Sequence, residues 1–216
     1  LYTIAMPGIG TAGGFAGQND DTSVYWSYSS YNYPPSIFTL DLNSGDTSLF
    51  WKSKFPLDLS ELVVQRTFVV SSDGSKVPLF IISHKDTKLD GNNPVLLYGY
   101  GGFDIPILPR FSASRVVWMK MGGVYAVACI RGGGEYGRHW HEGGMLANKQ
   151  QVFDDFIACG EWLIENRWTQ PSKLAIQGGS NGGLLVGACM TQRPNLFGAC
   201  LPAVGVMDML RYPLFT

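Results

Sequence analysis

A single serine stands inside a run of glycines at residues 178–182, which read GGSNG. The segment fits the pattern G-x-S-x-G of a nucleophile elbow, in which a strained turn lifts a serine hydroxyl above a sheet. Glycines two positions before and after the serine remove side chains that would clash where a strand and a helix pass closely. The backbone N–H of Asn181 would point towards an oxyanion and stabilise the charge that develops during acyl transfer. Ser180 is therefore the candidate nucleophile.

A second glycine-rich segment, residues 98–103 (YGYGGF), stands where a second oxyanion donor is expected. Tyr100 offers a phenolic hydroxyl as that hydrogen-bond donor. A plain strand-end turn with packed aromatic side chains would have the same composition. The function of this segment therefore depends on where the fold places it.

The base that a serine nucleophile requires is missing from the expected place. Hydrolases with this elbow follow the chain order serine, then Asp, then His. After Ser180 the sequence contains no histidine and one acidic residue, Asp208, which follows the elbow too soon to be that acid. We assign His84 to a loop, and His139 and His141 to solvated or packing roles. Their spacing would put the last two on opposite sides of an extended segment, which does not suggest a metal pair.

The apolar pattern indicates two regions with different textures. Residues 1–52 contain short alternating segments such as SIFTLDL, which predict an aromatic β-meander from either a propeller blade or a sandwich. From about residue 60, a predicted hairpin (ELVVQRTFVV and VPLFIISH) precedes apolar strands in NPVLLYGYGG, GGVYAVACIRGGG, SKLAIQGGS and FGACLPAVGV. Helices are predicted in NKQQVFDDFIACGEWLIENRW, with Asn148 as a possible N-cap, and in NGGLLVGACMTQ. This alternation predicts an α/β fold with a mostly parallel sheet, helices on both faces, and a ligand site at the carboxyl ends of its strands.

Several strings together resemble the prolyl oligopeptidase family: LLYGYGGF, IRGGGEYG, HEGGMLANKQQVFDDF and GGSNGGLLVGAC, followed by QRPNLFGA and VGVMDML. The resemblance runs in order through most of residues 60–216 and is much fainter in residues 1–52. It implies the last blade of an incomplete β-propeller in residues 1–52 and an incomplete α/β-hydrolase domain in residues 53–216. It also implies cleavage of short peptides after proline, with the propeller excluding folded proteins.

By the matched motifs, the resemblance implies that Ser180 is the nucleophile and that the Asn181 backbone and the Tyr100 hydroxyl form the oxyanion hole. Phe103 and Val206 would line a pocket that grips the proline ring by contact area. The triad Asp and His would lie beyond residue 216, so we expect the chain to be a piece of a longer, monomeric enzyme and to be inactive alone. Two alternatives stay open: a non-catalytic peptide-binding remnant of the same fold, and a carboxylesterase, whose oxyanion loop would more often read HGGG.

Composition excludes several other classes of protein. Hydrophobic residues make up 45% and charged residues 15%, which is typical of a globular protein. The net charge of -1 gives no attraction to nucleic acid or to an anionic membrane surface. The four cysteines have apolar neighbours and no metal-ligand spacing, which predicts small buried thiols. No nucleotide-binding motif, signal peptide or membrane-spanning run is present, so we expect no cofactor, no metal and a cytoplasmic location.

Overall fold

A computed structural model describes residues 3–215 of the chain. Its contacts divide the chain into two compact units, one formed by residues up to 64 with 108–117, and the other by residues 65–107 with those from 118 onward. The domain boundary after residue 52 stays a prediction of the sequence.

The first unit contains an antiparallel four-stranded meander. Its strands follow the chain order, β1 (Thr11–Ala16), β2 (Ser23–Ser30), β3 (Tyr33–Asp41) and β4 (Thr47–Lys52). Inward residues alternate with outward ones along β2 and β3, and the Trp26 ring stacks on Phe38 with centroids 4.6 Å apart. The alternating pattern predicted β2, β3 and β4, whereas β1 was missed because its sequence, TAGGFA, has no alternation.

The other sheet has six strands in the order β10, β9, β7, β8, β6, β5. The bounds are β5 (Leu62–Val70), β6 (Lys76–His84), β7 (Val95–Tyr98), β8 (Val124–Ala128), β9 (Leu174–Gly179) and β10 (Ala199–Ala203). Neighbours among β10, β9, β7 and β8 are parallel, whereas β6 pairs with β8 in the antiparallel sense. The sheet is therefore mixed, with four consecutive parallel strands.

Four α-helices accompany the strands in the described residues: α1 (Ala113–Lys120), α2 (Arg138–Glu142), α3 (Lys149–Glu165) and α4 (Asn181–Gln192). The helical periodicity predicted α3 and α4, while α1 and α2 are too short to show one. Asn148 occupies the N-cap position of α3, but its side chain donates a hydrogen bond to the Glu142 carbonyl and does not cap the helix. His139 and His141 lie in the helix α2, so the expectation that they belong to an extended segment was wrong. Within residues 3–215, none of the helices has both the length and the apolar character needed to cross a membrane.

The core of the mixed sheet is built from its apolar strands and from one face of α3. Phe156 and Leu163 of α3 are fully buried, and burying side chains of this size contributes about 1.5–3 kcal/mol each. Cys129, Cys159 and Cys189 are buried free thiols, as the sequence predicted, and Cys200 is half-buried. Burial raises the pKa of the Cys189 thiol to about 12, so this thiol is a small packing group.

Candidate active site

The carboxyl ends of the four parallel strands meet at one edge of the sheet and surround a cavity of about 840 Å³. The segments that follow β7, β8, β9 and β10 all line it. They contribute Gly102 and Phe103, Gly132, Ser180 and Asn181, and Val206, respectively. The predicted position of a ligand site at the strand ends agrees with this arrangement.

Ser180 lies in a strained turn between β9 and α4. Its φ is 56° and its ψ is −117°, a conformation that costs a non-glycine residue about 1–3 kcal/mol. The turn is held on both sides, because the Ser180 N–H donates to the Ala203 carbonyl at 2.9 Å and the Ser180 carbonyl accepts from the Gly183 N–H at 2.9 Å. The serine itself is exposed. A nucleophile elbow has this geometry.

The glycines around the serine have the steric role that the pattern predicted. A Cβ added to Gly178 would lie 2.3 Å from the Gly182 carbonyl oxygen, and a Cβ added to Gly182 would lie 2.7 Å from the Gly99 carbonyl oxygen. Real Cβ atoms do not approach backbone atoms this closely. Glycine is therefore required at both positions for the strand, the helix and the loop after β7 to pass each other.

Asn181 is the first residue of α4 and links the elbow to the loop after β7. The first N–H groups of a helix have no intrahelical acceptor, and the helix dipole makes them suited to a developing negative charge. The Asn181 side chain is buried, and its Nδ2 donates to the Tyr100 carbonyl oxygen at 2.5 Å. The amide side chain thus fixes the position of the backbone N–H that the sequence predicted as an oxyanion donor.

Lys149, which sequence reasoning did not single out, lies beside these groups. Its Nζ donates to the Gly101 carbonyl at 3.0 Å and to the Asn181 Oδ1 at 3.2 Å, and it lies 5.9 Å from the centroid of the Phe153 ring. Burial lowers the pKa of the Lys149 ammonium. One sequence signal could have found it, because a lysine in the first turn of a predicted helix opposes the helix dipole.

The structure brings four of the five predicted site residues together at the cavity. Phe103 and Val206 line it with Ser180 and Asn181, and Phe103 is 72% exposed with a φ of 56°. Tyr100 follows β7 and is half-buried, but it is not among the residues that line this cavity. Its carbonyl is bound to Asn181, and the role of its hydroxyl as an oxyanion donor stays a prediction.

His141 lines the same cavity, although the sequence assigned it only a solvated or packing role. Its Nδ1 lies 2.8 Å from the Gly132 carbonyl oxygen and 3.1 Å from the Asp104 backbone nitrogen. One ring nitrogen either donates or accepts, so the tautomer decides which of the two hydrogen bonds forms. Across residues 3–215, no group of three or more His, Cys, Asp and Glu side chains could hold a metal ion.

Hydrophobic side chains cover much of the remaining wall of the cavity. They include Met145, Leu146, Leu184 and Met209, with Tyr212 beside them. Leu146 is 82% exposed and has a φ of 51°, so a bulky apolar residue is held in a left-handed conformation with its side chain at the cavity. Backbone strain of this kind clusters at ligand sites.

A buried ion pair anchors the segment that follows β8, directly before Gly132. The Arg131 guanidinium donates to both carboxylate oxygens of Asp155, at 2.6 Å and 2.9 Å, and Asp155 is completely buried. Ser71 donates to the same carboxylate at 2.6 Å. Asp73 accepts from the other side of the guanidinium, and this hydrogen bond holds the pKa of Asp73 down to about 2. The network fixes the position of Arg131 and therefore of the loop that continues into Gly132.

A strained, exposed serine between a parallel strand and the start of a helix is the arrangement used by serine hydrolases of the α/β class. The sequence profile of the prolyl oligopeptidase family matches residues 109–216. The chain belongs to the prolyl oligopeptidase family.

The sequences and structures of individual relatives match this chain over nearly its whole length. A prolyl endopeptidase from Elizabethkingia miricola is 48% identical over 213 residues, which are 99% of this chain and 30% of that protein. The solved structure of a prolyl endopeptidase superposes with a TM-score of 0.94 at 48% identity, covering 99% of this chain and 32% of its own. Prolyl oligopeptidase B from Galerina marginata, solved with a 35mer hydrolysis and macrocyclization substrate, has a TM-score of 0.93 at 37% identity and covers 100% of this chain and 31% of its own. The chain therefore spans about 30% of the length of the curated relatives it matches.

Proposed function

We propose that the complete protein containing this chain is a serine endopeptidase that cleaves short peptides on the carboxyl side of proline. The observation that carries the proposal is the exposed Ser180 in its elbow, inside a cavity that also contains Phe103, Asn181 and Val206. The relatives that match the chain from end to end include proteins named prolyl endopeptidase, which supports the same reaction.

The proposed reaction proceeds through an acyl-enzyme. The Ser180 Oγ attacks the carbonyl carbon of the proline residue, its proton passes to a histidine base, and the carbonyl electron pair moves onto the oxygen. The Asn181 N–H and the Tyr100 hydroxyl would stabilise that oxyanion. The base returns the proton to the leaving amine as the peptide bond breaks, and water then hydrolyses the ester at Ser180.

Specificity for proline would come from apolar contact with the ring. Phe103 and Val206 present exposed apolar surface at the cavity, and a flat, apolar ring offers no polar group for recognition. We assign residues 1–52 to the last blade of a propeller that admits only short peptides, and residues 53–216 to an α/β-hydrolase domain. We also propose that the complete protein is a monomer and that it is located in the cytoplasm.

The base and its carboxylate partner are assigned to the sequence that follows residue 216 in the gene. The chain's histidines at positions 84, 139 and 141 all precede the serine, whereas this class of hydrolase has the histidine after it. The gene sequence tests this point directly. A downstream Asp and His would support the peptidase, and a stop codon shortly after codon 216 would favour a peptide-binding protein without catalysis.

The enzymatic test compares the gene product with its Ser180→Ala variant on a chromogenic peptide with proline before the scissile bond. We expect kcat to fall by at least about 10⁴-fold in the variant, because the nucleophile is lost. A matched peptide with alanine in place of proline tests specificity, and a p-nitrophenyl ester tests for a carboxylesterase. Turnover that survives Ser180→Ala, or hydrolysis of the ester with no cleavage of the proline peptide, would contradict the proposal.

A further inference from the structure

Lys149 connects the two segments that carry the predicted oxyanion donors. Its Nζ holds the Gly101 carbonyl in the loop after β7 and the Asn181 side chain at the start of α4, at 3.0 Å and 3.2 Å. The Asn181 Nδ2 in turn holds the Tyr100 carbonyl at 2.5 Å. The three hydrogen bonds close a loop of contacts between residues that lie far apart in the sequence.

The position of Lys149 has no explanation in helix stability. It is the first residue of α3, where the helix dipole disfavours a cation, and the first turn of α3 contains no acidic residue. Lys149 is half-buried, and within residues 3–215 none of its hydrogen bonds goes to a carboxylate. A buried cation must be hydrogen-bonded, and Lys149 meets this need only through the site segments. Departures from local rules of this kind occur at functional sites.

We propose that Lys149 is a positioning residue for the oxyanion hole, which holds Asn181 and the loop after β7 in fixed register around Ser180. The inference rests on the proposed peptidase function. Lys149 does not touch the reacting atoms in this account. It acts through Asn181, whose backbone N–H must remain within about 3 Å of the oxygen that becomes negative in the transition state.

The effect of Lys149 should appear in kcat more than in KM. Lys149 also lines the cavity, but we assign ground-state binding of the peptide to apolar contact at Phe103 and Val206, whereas the hydrogen bonds of Lys149 go to the Gly101 carbonyl and to Asn181. The oxyanion forms only after attack, so a misplaced donor weakens the transition state alone. A displacement of about 1 Å in such a group can lower the rate by about 100-fold.

The kinetic experiment uses the full gene product and its Lys149→Met variant, which keeps an unbranched side chain one atom shorter and removes its hydrogen bonds. We expect kcat on the proline peptide to fall by about 10- to 100-fold, with KM within about threefold of wild type. Lys173→Met is the matched control, because Lys173 also donates to a backbone carbonyl, that of Asn92, and is exposed. An unchanged kcat in Lys149→Met, or a loss that appears only in KM, would overturn the inference.

A double-mutant cycle with Asn181→Ala tests whether the two side chains act as one unit. The alanine variant keeps the backbone N–H of residue 181 and removes the amide that Lys149 holds. We expect the double variant to lose no more activity than the worse single variant, because each substitution breaks the same chain of contacts. Losses that multiply would overturn the inference. If Lys149→Met fails to fold, the Asn181→Ala variant alone must show the fall in kcat at constant KM, and its absence would be decisive against the inference.

A third measurement does not depend on catalysis. Amide hydrogen exchange, followed by mass spectrometry, is compared between wild type and Lys149→Met in the segments 99–103 and 181–184. We expect faster exchange in both segments of the variant and unchanged exchange elsewhere. If the wild type cleaves no peptide, the proposed function fails, but this comparison still decides whether Lys149 holds the two segments. Unchanged exchange in both would overturn the positioning role.

Discussion

The close crossing of β9 and α4 predicts that Gly178→Ala is severe while its neighbour Gly179→Ala is mild. An added Cβ at Gly178 would lie 2.3 Å from the Gly182 carbonyl oxygen and 2.5 Å from its carbonyl carbon. At Gly179 the nearest atom, the Ala203 carbonyl oxygen, is 3.9 Å away, which is an ordinary contact. Both residues lie at the end of the same strand and receive the same methyl group, so the pair isolates the steric effect.

The expected magnitude follows from the atoms that must move. The neighbours of Gly178 are backbone atoms of α4, which cannot rotate away as a flexible side chain would. Overpacking of this kind costs about 1–3 kcal/mol and sometimes more, so we expect a loss of about 3 kcal/mol in the free energy of unfolding for Gly178→Ala. Gly179→Ala should stay within about 0.5 kcal/mol of wild type.

The assay is urea unfolding of both variants, followed by tryptophan fluorescence, together with hydrolysis of the proline peptide. Because Gly178→Ala must shift the start of α4 relative to Ser180, we also expect its kcat to fall by about 100-fold. Equal unfolding midpoints for the two variants would show that the backbone around residue 178 can shift without loss of stability. This result would refute the steric explanation of the elbow glycines.

Three further perturbations have outcomes fixed by contacts described above. Asp155→Ala leaves the buried Arg131 guanidinium without its main partner, so urea unfolding should show a loss of about 3–5 kcal/mol in the free energy of unfolding. The control Asp154→Ala changes the adjacent, less buried carboxylate and should lose about 0.5 kcal/mol. Equal losses in the two variants would contradict the role given to the buried ion pair. Arg131 lowers the folded-state pKa of Asp73, so the stability that Asp73 contributes is present above about pH 4 and is lost as the pH falls towards 2. The difference in urea midpoint between wild type and Asp73→Asn should shrink over that interval, and a difference that grows would have the wrong sign. Phe103→Ala should raise KM for the proline peptide by about tenfold and leave KM for the alanine peptide within about twofold, whereas equal changes would argue against a ring-specific contact.

Local patterns predicted the parts of the site that depend on neighbouring residues. The G-x-S-x-G segment predicted the elbow because its constraints lie within five residues. The apolar runs predicted β7 and β9, so the segments containing Phe103 and Ser180 could be placed at strand ends before the sheet order was known. Val206 followed from the family motif, and the structure places it at the same cavity.

Contacts between distant segments could not be predicted in this way. Lys149 lies 48 residues from Gly101 and 32 residues from Asn181, and no local pattern encodes either pairing. His141 lies in the five-residue helix 138–142 and lines the cavity, and the short RHWHE segment between flanking glycines showed no helical pattern. The direction of the Tyr100 hydroxyl depends on a side-chain rotamer, which spacing along the chain does not determine.

Because Ser180 has a left-handed backbone conformation, thermal stability and catalytic activity favour different residues at this position. Glycine adopts a φ of 56° without the steric penalty that serine carries, so Ser180→Gly would relax the turn while it deletes the hydroxyl. A laboratory selection for thermal stability alone would therefore enrich catalytically inactive variants at this codon. Directed evolution of a more robust protein from this chain must screen turnover in every round.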